Sequence, residues 1–360
     1  SFTQSRETPH HELQQTLQMI MSEPIPFRVA LCVLIGFSLW FSDQAYPEEV
    51  LRRSNIEIDV GLSTWISQGK TEWSHNASSA STLLGNPTSK LEYKDDGTNV
   101  VELSGKAMFA KRWFVRANYG FGDIGGGRLT DDDFLAADGG QPSLRTHSDI
   151  KGDDIWYVNG DVGVTVLNFA GHRGSLDLFM GYQYWREKHV ATGVTQVICT
   201  QAGSTVDLDP APGIQPLCNP GAGVSAVGQT VITNTATWSS LRMGVQSEFH
   251  FTRRFSIEGK AAFIPYTSLS NKDVHHLRPD LQQNPSFSMS GTGIGANLEG
   301  NARFMVVKGL FASVGYRFWW NRVTDGTWRT FPVNGPSETF NLNEFETIRH
   351  GVTLGLTYSF

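Results

Sequence analysis

The chain has 360 residues, of which 39% are hydrophobic and 18% are charged, and its formal net charge is −6. This length suits one large domain or two ordinary ones, and the mild negative charge argues against a nucleic-acid-binding protein, which usually carries a basic excess. The hydrophobic content is low for a helical membrane protein. The arrangement of the apolar residues must therefore decide the fold class.

An apolar segment near the N-terminus has the features of a secretory signal peptide. Arg28 precedes the run VALCVLIGFSLWF, which is shorter than the roughly 20 apolar residues that a membrane-spanning helix needs. We therefore predict an upstream extension at 1–20, a cleaved signal peptide at 21–45 and a mature domain at 46–360. The alternative is that this segment remains as a membrane anchor.

After residue 45, apolar and polar residues alternate with a period of two. In the first such segment Ile56, Ile58 and Val60 share one parity, and Glu57 and Asp59 share the other. This alternation is typical of a strand with one face toward lipid and one toward a wet lumen. The pattern predicts ten strands, at 54–67, 89–109, 112–124, 149–168, 174–194, 229–251, 254–270, 284–306, 309–323 and 343–360.

The connections between these strands differ in length. Lys111-Arg112 and Thr252-Arg253-Arg254 resemble tight turns. Long polar loops are predicted near 74–90, 123–148, 195–228, 271–285 and 324–342. Short periplasmic turns and long extracellular loops are typical of bacterial outer-membrane barrels, which use even numbers of strands. We predict an all-β, ten-stranded antiparallel transmembrane β-barrel with long extracellular loops, in the outer membrane of a Gram-negative bacterium. The alternative is a secreted β-sandwich.

Several tryptophans lie near the ends of the predicted strands. In outer-membrane barrels, aromatic side chains at these positions form girdles at the two membrane interfaces. We therefore expect an interfacial location for Trp113, Trp185, Trp238, Trp319 and Trp320.

Two of the three cysteines, Cys199 and Cys218, lie in one predicted loop rich in glycine and proline. In an exported protein this arrangement predicts one disulfide that closes a surface loop, and the alternative is two free thiols. The cysteines do not follow the CxxC or Cys/His spacing of a metal site, so we expect no bound metal.

Two polar motifs fall at the edges of predicted loops on the outward side of the barrel. One is GGGRLTDDDF, which contains Asp131 and Asp133, and the other is NKDVHH, which contains Asp273 and His275. On an extended chain, residues i and i+2 face the same way. Two facing carboxylates can share a proton, and an aspartate beside a histidine can fix its tautomer and raise its basicity. Together these groups could activate a water, although each motif alone is more often a solvated turn.

These motifs belong to an ordered set that resembles the omptins, a family of ten-stranded outer-membrane proteases. The resemblance covers nearly the whole mature chain and includes GKT at 69–71, SKLEYK at 89–94, GYQ at 181–183, WNRVT at 320–324 and GLTYSF at 355–360. It implies that Asp131 and Asp133, with the dyad of Asp273 and His275, flank a nucleophilic water at the barrel mouth. The implied substrates are exposed peptides or proteins. We expect a monomer without a cofactor.

In omptins, acidic residues in the substrate groove select basic side chains, and the matching positions differ here. Trp73 stands at one of them with Glu72 adjacent, Thr146 stands at another, and Asn271 precedes the dyad. Ser148 falls where the family has a serine that supports activity. The resemblance implies substrate-binding roles for Glu72, Thr146, Ser148 and Asn271, with the selection of basic residues lost, because an uncharged groove cannot pair an arginine or lysine.

The omptins also require lipopolysaccharide, which an outward Tyr-x-Glu-x-Arg stripe holds. Here the stripe contains Tyr182, Tyr184 and Arg186, and Lys188 extends it. The resemblance implies that Tyr182 and Arg186 bind lipopolysaccharide as an activator. The alternative is an ordinary girdle of aromatic and basic residues.

The sequence therefore predicts an outer-membrane endopeptidase whose active site faces the extracellular side, with His275 as the general base. A second hypothesis is a catalytically inactive barrel that serves as an adhesin or binding protein. A diffusion porin is a weaker third one, since ten strands make a narrow barrel and porins use about 16–18.

Overall fold

The structure is a computed structural model that describes residues 56–169, 173–200 and 223–360. The predicted extension at 1–20, the signal peptide at 21–45 and Cys218 lie outside the described residues. Cys199 is disulfide-bonded, and its pairing with Cys218 stays a prediction. Within the described ranges, the structure contains no helix with the length and apolar character to cross a membrane.

Eleven strands and one short 3-10 turn, η1, make up most of the described chain. In order they are β1 (Ile56–Asn76), β2 (Leu84–Phe109), β3 (Trp113–Leu135), η1 (Ala136–Asp138), β4 (Leu144–Ile150), β5 (Asp154–Asn168), β6 (Gly174–Cys199), β7 (Val224–His250), β8 (Phe255–His275), β9 (Phe287–Val307), β10 (Leu310–Thr330) and β11 (Glu338–Ser359).

The strands form one closed antiparallel ring, since β1 pairs with both β2 and β11. Both β4 and β5 lie between β3 and β6, so they are two halves of one barrel strand that is interrupted at 151–153. The ring therefore has ten strands. This confirms the predicted all-β, ten-stranded antiparallel barrel.

The outer face of the ring carries an apolar belt. In β1, Ile56, Ile58, Val60 and Leu62 are between 44% and 53% exposed, while the residues between them face the lumen. Side chains of this kind are stable on an outer face only against lipid, and a closed ring leaves no unpaired strand edge in the bilayer. The period of two read from the sequence thus matches the two faces of the barrel.

The two ends of the barrel differ. At one end, here called the short-turn end, tight connections at 110–112, 251–254 and 308–309 join the strands. At the other, the long-loop end, the strands continue beyond the apolar belt. The predicted loops there were too long, and the two polar motifs form the ends of β3 and β8, at the edges of the loops that follow. Polar and glycine-rich segments still pair through their backbone, which the alternation of side chains does not reveal.

Packed side chains fill the lumen. Arg317 donates hydrogen bonds of 2.8 Å to Glu102 and to the Tyr157 hydroxyl. Toward the long-loop end, Trp319 packs against Trp65, Tyr157 and Trp185 with ring centroids 4.7 to 5.5 Å apart. These side chains form an aromatic layer across the barrel.

The prediction of interfacial girdles is wrong for three tryptophans. Trp185, Trp238 and Trp319 are fully buried in the lumen, because they share the parity of the polar, lumen-facing residues. Trp113 is 59% exposed on the outer face. Trp320 also has the outward parity, and its Nε1 donates to Glu346 at 3.0 Å.

The next layer toward the long-loop end is organised by Arg349, which is fully buried. Its guanidinium donates to Asp95 on β2 and to Glu187 on β6, with 2.5 Å in each case. Asp95 also accepts the backbone N–H of Gly69 at 2.8 Å. One cation on β11 therefore joins two distant walls of the barrel and neutralises two buried carboxylates.

Replacing Arg349 with methionine, which has a similar length, should destabilise the barrel by about 3–5 kcal/mol, because it leaves two buried carboxylates without their cation. Equilibrium unfolding in urea with lipid vesicles measures this change. Arg253→Met, at an exposed tight turn, is the matched control and should change stability little. Equal stability of the two variants would contradict this role of Arg349.

Candidate functional site

The four predicted catalytic residues face the lumen at the long-loop end, on β3 and β8. Around the ring, three strand positions separate β3 from β8 on one side: the shared position of β4 and β5, then β6 and β7. Five strands separate them on the other side. The two pairs can therefore meet only across the lumen. As the i, i+2 spacing predicts, Asp131 and Asp133 share a face, as do Asp273 and His275.

The dyad on β8 is held by a set of hydrogen bonds. Asp273 is fully buried, and its Oδ2 lies 3.0 Å from Nε2 of His275. Its Oδ1 accepts hydrogen bonds of 3.3 Å from the Tyr93 hydroxyl and from Nδ2 of Asn234. The backbone N–H of His275 donates to Ser286 Oγ at 3.0 Å. The carboxylate therefore engages one ring nitrogen and leaves Nδ1 of His275 for a substrate or water.

The carboxylates on β3 are held in two different states. Burial, together with the charges of Asp133 and Asp273, raises the pKa of Asp131 far above its usual range. Burial also raises the pKa of Asp133 to about 6, and a hydrogen bond with Ser89 and the nearby side chains of His275 and Arg278 limit the rise. Near neutral pH, Asp131 therefore keeps its proton and Asp133 is ionised. The pair presents one donor and one acceptor.

Tyr93 connects the walls that carry the two polar pairs. It lies on β2, directly opposite Leu129 of β3, and its hydroxyl reaches across the lumen to Asp273. Burial and the charges of Asp273 and Asp131 raise its pKa, so it stays a donor. The contact brings the two walls of the lumen together at the level of the four predicted residues.

Sequence reasoning did not assign roles to several residues that support the site, namely Ser89, Tyr93, Asn234 and Ser286. Two of them stand in the SKLEYK segment at 89–94. Ser89 and Tyr93 face the lumen, although Val101 and Leu103 of the same parity face outward. The register shifts at Gly97 reverse the facing, so local spacing alone does not identify them. Asn234 and Ser286 reach the dyad through strand pairing and a loop, and local spacing carries no signal for either.

Three of the four predicted substrate-binding residues face the lumen. Thr146 lies opposite Asp131, and Ser148 is buried opposite Leu129. Asn271 is buried, and its Nδ2 donates to Asn234 Oδ1 at 3.0 Å. Since Asn234 donates to Asp273, Asn271 acts on the dyad through Asn234 in this structure.

The prediction that Glu72 faces the substrate groove is wrong. Glu72 lies opposite Glu92 and Glu346 on the outer face, where it is ion-paired to Lys70 and to Lys90. The period of two is the reason, because it turns Thr71 and Trp73 toward the lumen and the residue between them away from it. The lumen position is thus held by Trp73.

The residues of the predicted lipid stripe, Tyr182, Tyr184, Arg186 and Lys188, share the outward parity of β6. Tyr184 stacks on Trp156 with ring centroids 4.7 Å apart. The two cations pair with neighbouring carboxylates, Arg186 with Asp154 and Lys188 with Asp153. The stripe therefore presents paired rather than bare positive charges.

Comparison with known proteins identifies the family. The model of a family described as Protochlamydia outer membrane protein (Pom) matches residues 67–360, and the chain belongs to this family of outer-membrane proteins. Among solved structures, the outer membrane protease OmpT from Escherichia coli is similar with a TM-score of 0.65 and 17% identity, covering 87% of this chain and 99% of that chain. This likeness shows the barrel fold alone.

A second solved structure is the translocator domain of the autotransporter NalP from Neisseria meningitidis. The match covers 95% of this chain and 97% of that chain, with 10% identity and a TM-score of 0.32. No curated protein sequence matches the chain.

Replacing Asp133 with asparagine should stabilise the barrel at pH 7.5. A folded-state pKa raised to about 6 means that the folded protein disfavours the ionised form, so the cost is full above pH 6. The gain should vanish below about pH 4, where the carboxyl is protonated in both states. Unfolding temperatures measured from pH 3.5 to 7.5 test this.

Asp132→Asn is the matched control, because Asp132 lies between the paired aspartates and binds Arg145 at 2.7 Å. It should give no gain at pH 7.5. If Asp133→Asn, like the control, gains no stability at pH 7.5, the assignment of Asp133 as a destabilised, buried carboxylate is contradicted.

Proposed function

We propose that this outer-membrane barrel is an endopeptidase that hydrolyses exposed peptides or proteins through a water held between its two polar pairs. The observation that carries the proposal is the arrangement around Asp273. This buried carboxylate binds His275 at 3.0 Å, and Tyr93 ties it to the wall that carries Asp131 and Asp133. A general base and a proton-sharing carboxyl pair thus face one another across a narrow lumen.

In the proposed reaction, Nδ1 of His275 removes a proton from the water as its oxygen attacks the peptide carbonyl. Asp273 stabilises the imidazolium that forms. The protonated Asp131 donates a hydrogen bond to the developing oxyanion, and the ionised Asp133 positions the water. The C–N bond then breaks, and His275 returns its proton to the leaving amine. No covalent intermediate with the protein is needed.

The active site is proposed to face the outside of the cell. Outer-membrane barrels have short periplasmic turns and long extracellular loops, and the four residues lie at the long-loop end. Lipopolysaccharide is proposed as an activator that contacts Tyr182 and Arg186 on the outer face. Peptide or protein substrates would reach the site from the external medium, and the barrel is proposed to act as a monomer.

One observation favours a different function, a catalytically silent binding protein. Apolar side chains surround the polar pairs, and Leu281, Met289 and Leu342 are buried at the same end of the lumen. A barrel closed in this way could present its outer loops to a partner without turnover. The packed lumen, with the Arg317 and Arg349 ion pairs across it, speaks against a diffusion porin.

Replacing His275 with alanine should abolish cleavage, since the proposed general base is removed. His276→Ala is the matched control. His276 lies next to the dyad but away from the buried carboxylate, and its Nε2 is 2.9 Å from Thr233 Oγ1. We expect the control to keep most of the activity. A library of quenched fluorescent peptides, incubated with each protein in micelles that contain lipopolysaccharide, measures both.

Heat-dependent migration in gels identifies the variants that retain a folded barrel. Undiminished cleavage by a folded His275→Ala protein would overturn the mechanism. The absence of cleavage of every peptide by the folded wild-type barrel would favour the binding protein instead.

A further inference from the structure

A continuous row of aromatic rings runs along the lumen wall at the long-loop end. Trp73 packs against His75 with centroids 6.0 Å apart, and His75 stacks on Trp328 at 3.9 Å with only 3° between the ring planes. Trp328 stacks on Phe287 at 4.7 Å, and Phe287 meets the His275 ring edge-on at 4.8 Å. We call Trp73, His75, Trp328 and Phe287 the aromatic array.

The register of β1, β2 and β3 places the array between the two polar pairs. On adjacent strands, Asp133 lies opposite Ser89, and Ser89 lies opposite His75. Asp131, Leu91 and Trp73 form the neighbouring row in the same way. The array thus begins beside the aspartate pair and ends on His275. A peptide bond held between the pairs would place its neighbouring residues against this wall.

Several polar atoms of the array have no partner in the described part of the chain. They are Nε1 of Trp73, Nε1 of Trp328 and Nδ1 of His75. A buried N–H without an acceptor costs free energy, and native structures contain few. Elsewhere the barrel satisfies such atoms, for example Trp185 Nε1 with Glu187 and Trp238 Nε1 with Thr347. Trp65 and Trp319 also lack partners, but they lie in the deeper aromatic layer.

The array can still meet a ligand. The side chain of His275, which borders the array, is 17% exposed, and the four members of the array are between 1% and 7% exposed, with Trp73 the least exposed. Trp328 is already engaged in two ring stacks, so the polar atom that it offers is the N–H at its edge. Such a donor suits the carbonyl oxygen of a peptide backbone rather than a cation.

No member of the array carries a negative charge. Burial lowers the pKa of His75 to about 3, so the ring is neutral. The residues paired with Trp73 and His75 on β11 are Phe345 and Leu342. Glu72 points outward. Within the array a lysine or arginine side chain would lose its hydration without a carboxylate partner, since Asp133 and Asp273 lie beyond its two ends, and this is costly.

Resting on the proposed peptidase function, we infer that the aromatic array is the subsite for the substrate residue beside the scissile bond. It takes an apolar or aromatic side chain, and the indole N–H groups of Trp73 and Trp328 hold the carbonyls of the bound backbone. The specificity of the barrel is therefore for uncharged segments of exposed peptides.

Cleavage products of a mixed peptide library, sequenced after digestion by the wild-type barrel in lipopolysaccharide micelles, test this inference. We expect Phe, Tyr, Trp, Leu or Met beside the cleaved bond, favoured over Lys and Arg by about tenfold or more. Enrichment of Lys or Arg, or no preference, would overturn the subsite and leave the proposed function standing. Cleavage of no peptide would overturn both.

Two variants probe the array directly. Trp73→Glu puts a carboxylate into it and should shift the preference toward Lys or Arg by about tenfold. Trp328→Phe keeps an aromatic ring but removes the N–H donor. It should keep the apolar preference and lower kcat/KM about tenfold for every peptide.

Trp113→Phe, on the outer face at the short-turn end, is the control and should match the wild type. If Trp73→Glu fails to fold, Trp328→Phe decides the test. Library profiles and kcat/KM values equal to those of the control would overturn the inference, because they would show that the aromatic residues only pack the end of the barrel.

Discussion

In a closed antiparallel ring, a side chain has two directions available, toward lipid and solvent or into the lumen. No strand edge is left over, and every backbone group is paired with a neighbouring strand. Within a stretch without a β-bulge, parity therefore fixes the environment of each residue once one residue is placed, and a bulge reverses it. In the apolar belt of β3 and β8, odd positions such as Val115 and Ile257 face outward. Register shifts opposite Gly126 in β3 and between Ile264 and Thr267 in β8 then turn the odd-numbered residues of the two polar pairs inward.

This rule explains how much of the molecule the sequence predicts. Ten strands and their order follow from the alternation and the turn signals, whereas the inward facing of the two polar pairs depends on register shifts in β3 and β8. The same rule places Trp185 and Trp319 in the lumen, although a position near the strand ends is typical of interfacial girdles. It could also have turned Glu72 outward. At that position, the likeness to an acidic groove residue and the parity of Thr71 and Trp73 point in opposite directions, and the structure follows the parity.

Other features have no signature in local spacing. The length of the polar strands beyond the belt depends on backbone pairing, which polar and glycine-rich sequences allow as readily as apolar ones. Contacts across the lumen depend on residues far apart in the chain, such as Tyr93 with Asp273 or Arg349 with Asp95 and Glu187. The stacking of His75 on Trp328 is of the same kind. These contacts arise from the circumference of the ring, which brings particular walls within reach of each other.

The site lacks the charge pairing that stabilises the rest of the barrel, and this lowers the stability of the folded protein. Deeper in the lumen each buried carboxylate is matched by a cation, as Asp95 and Glu187 are by Arg349. At the long-loop end, three aspartates cluster around one histidine, and the pKa values of Asp131 and Asp133 are raised by burial. An arginine or a pair of apolar residues would satisfy these positions better. A fold that balances its charges elsewhere but leaves destabilised carboxyls beside a histidine has the energetic pattern that the proposed function predicts. The adjoining indole N–H groups of Trp73 and Trp328, which have no acceptor in the described chain, add a similar cost in hydrogen bonding.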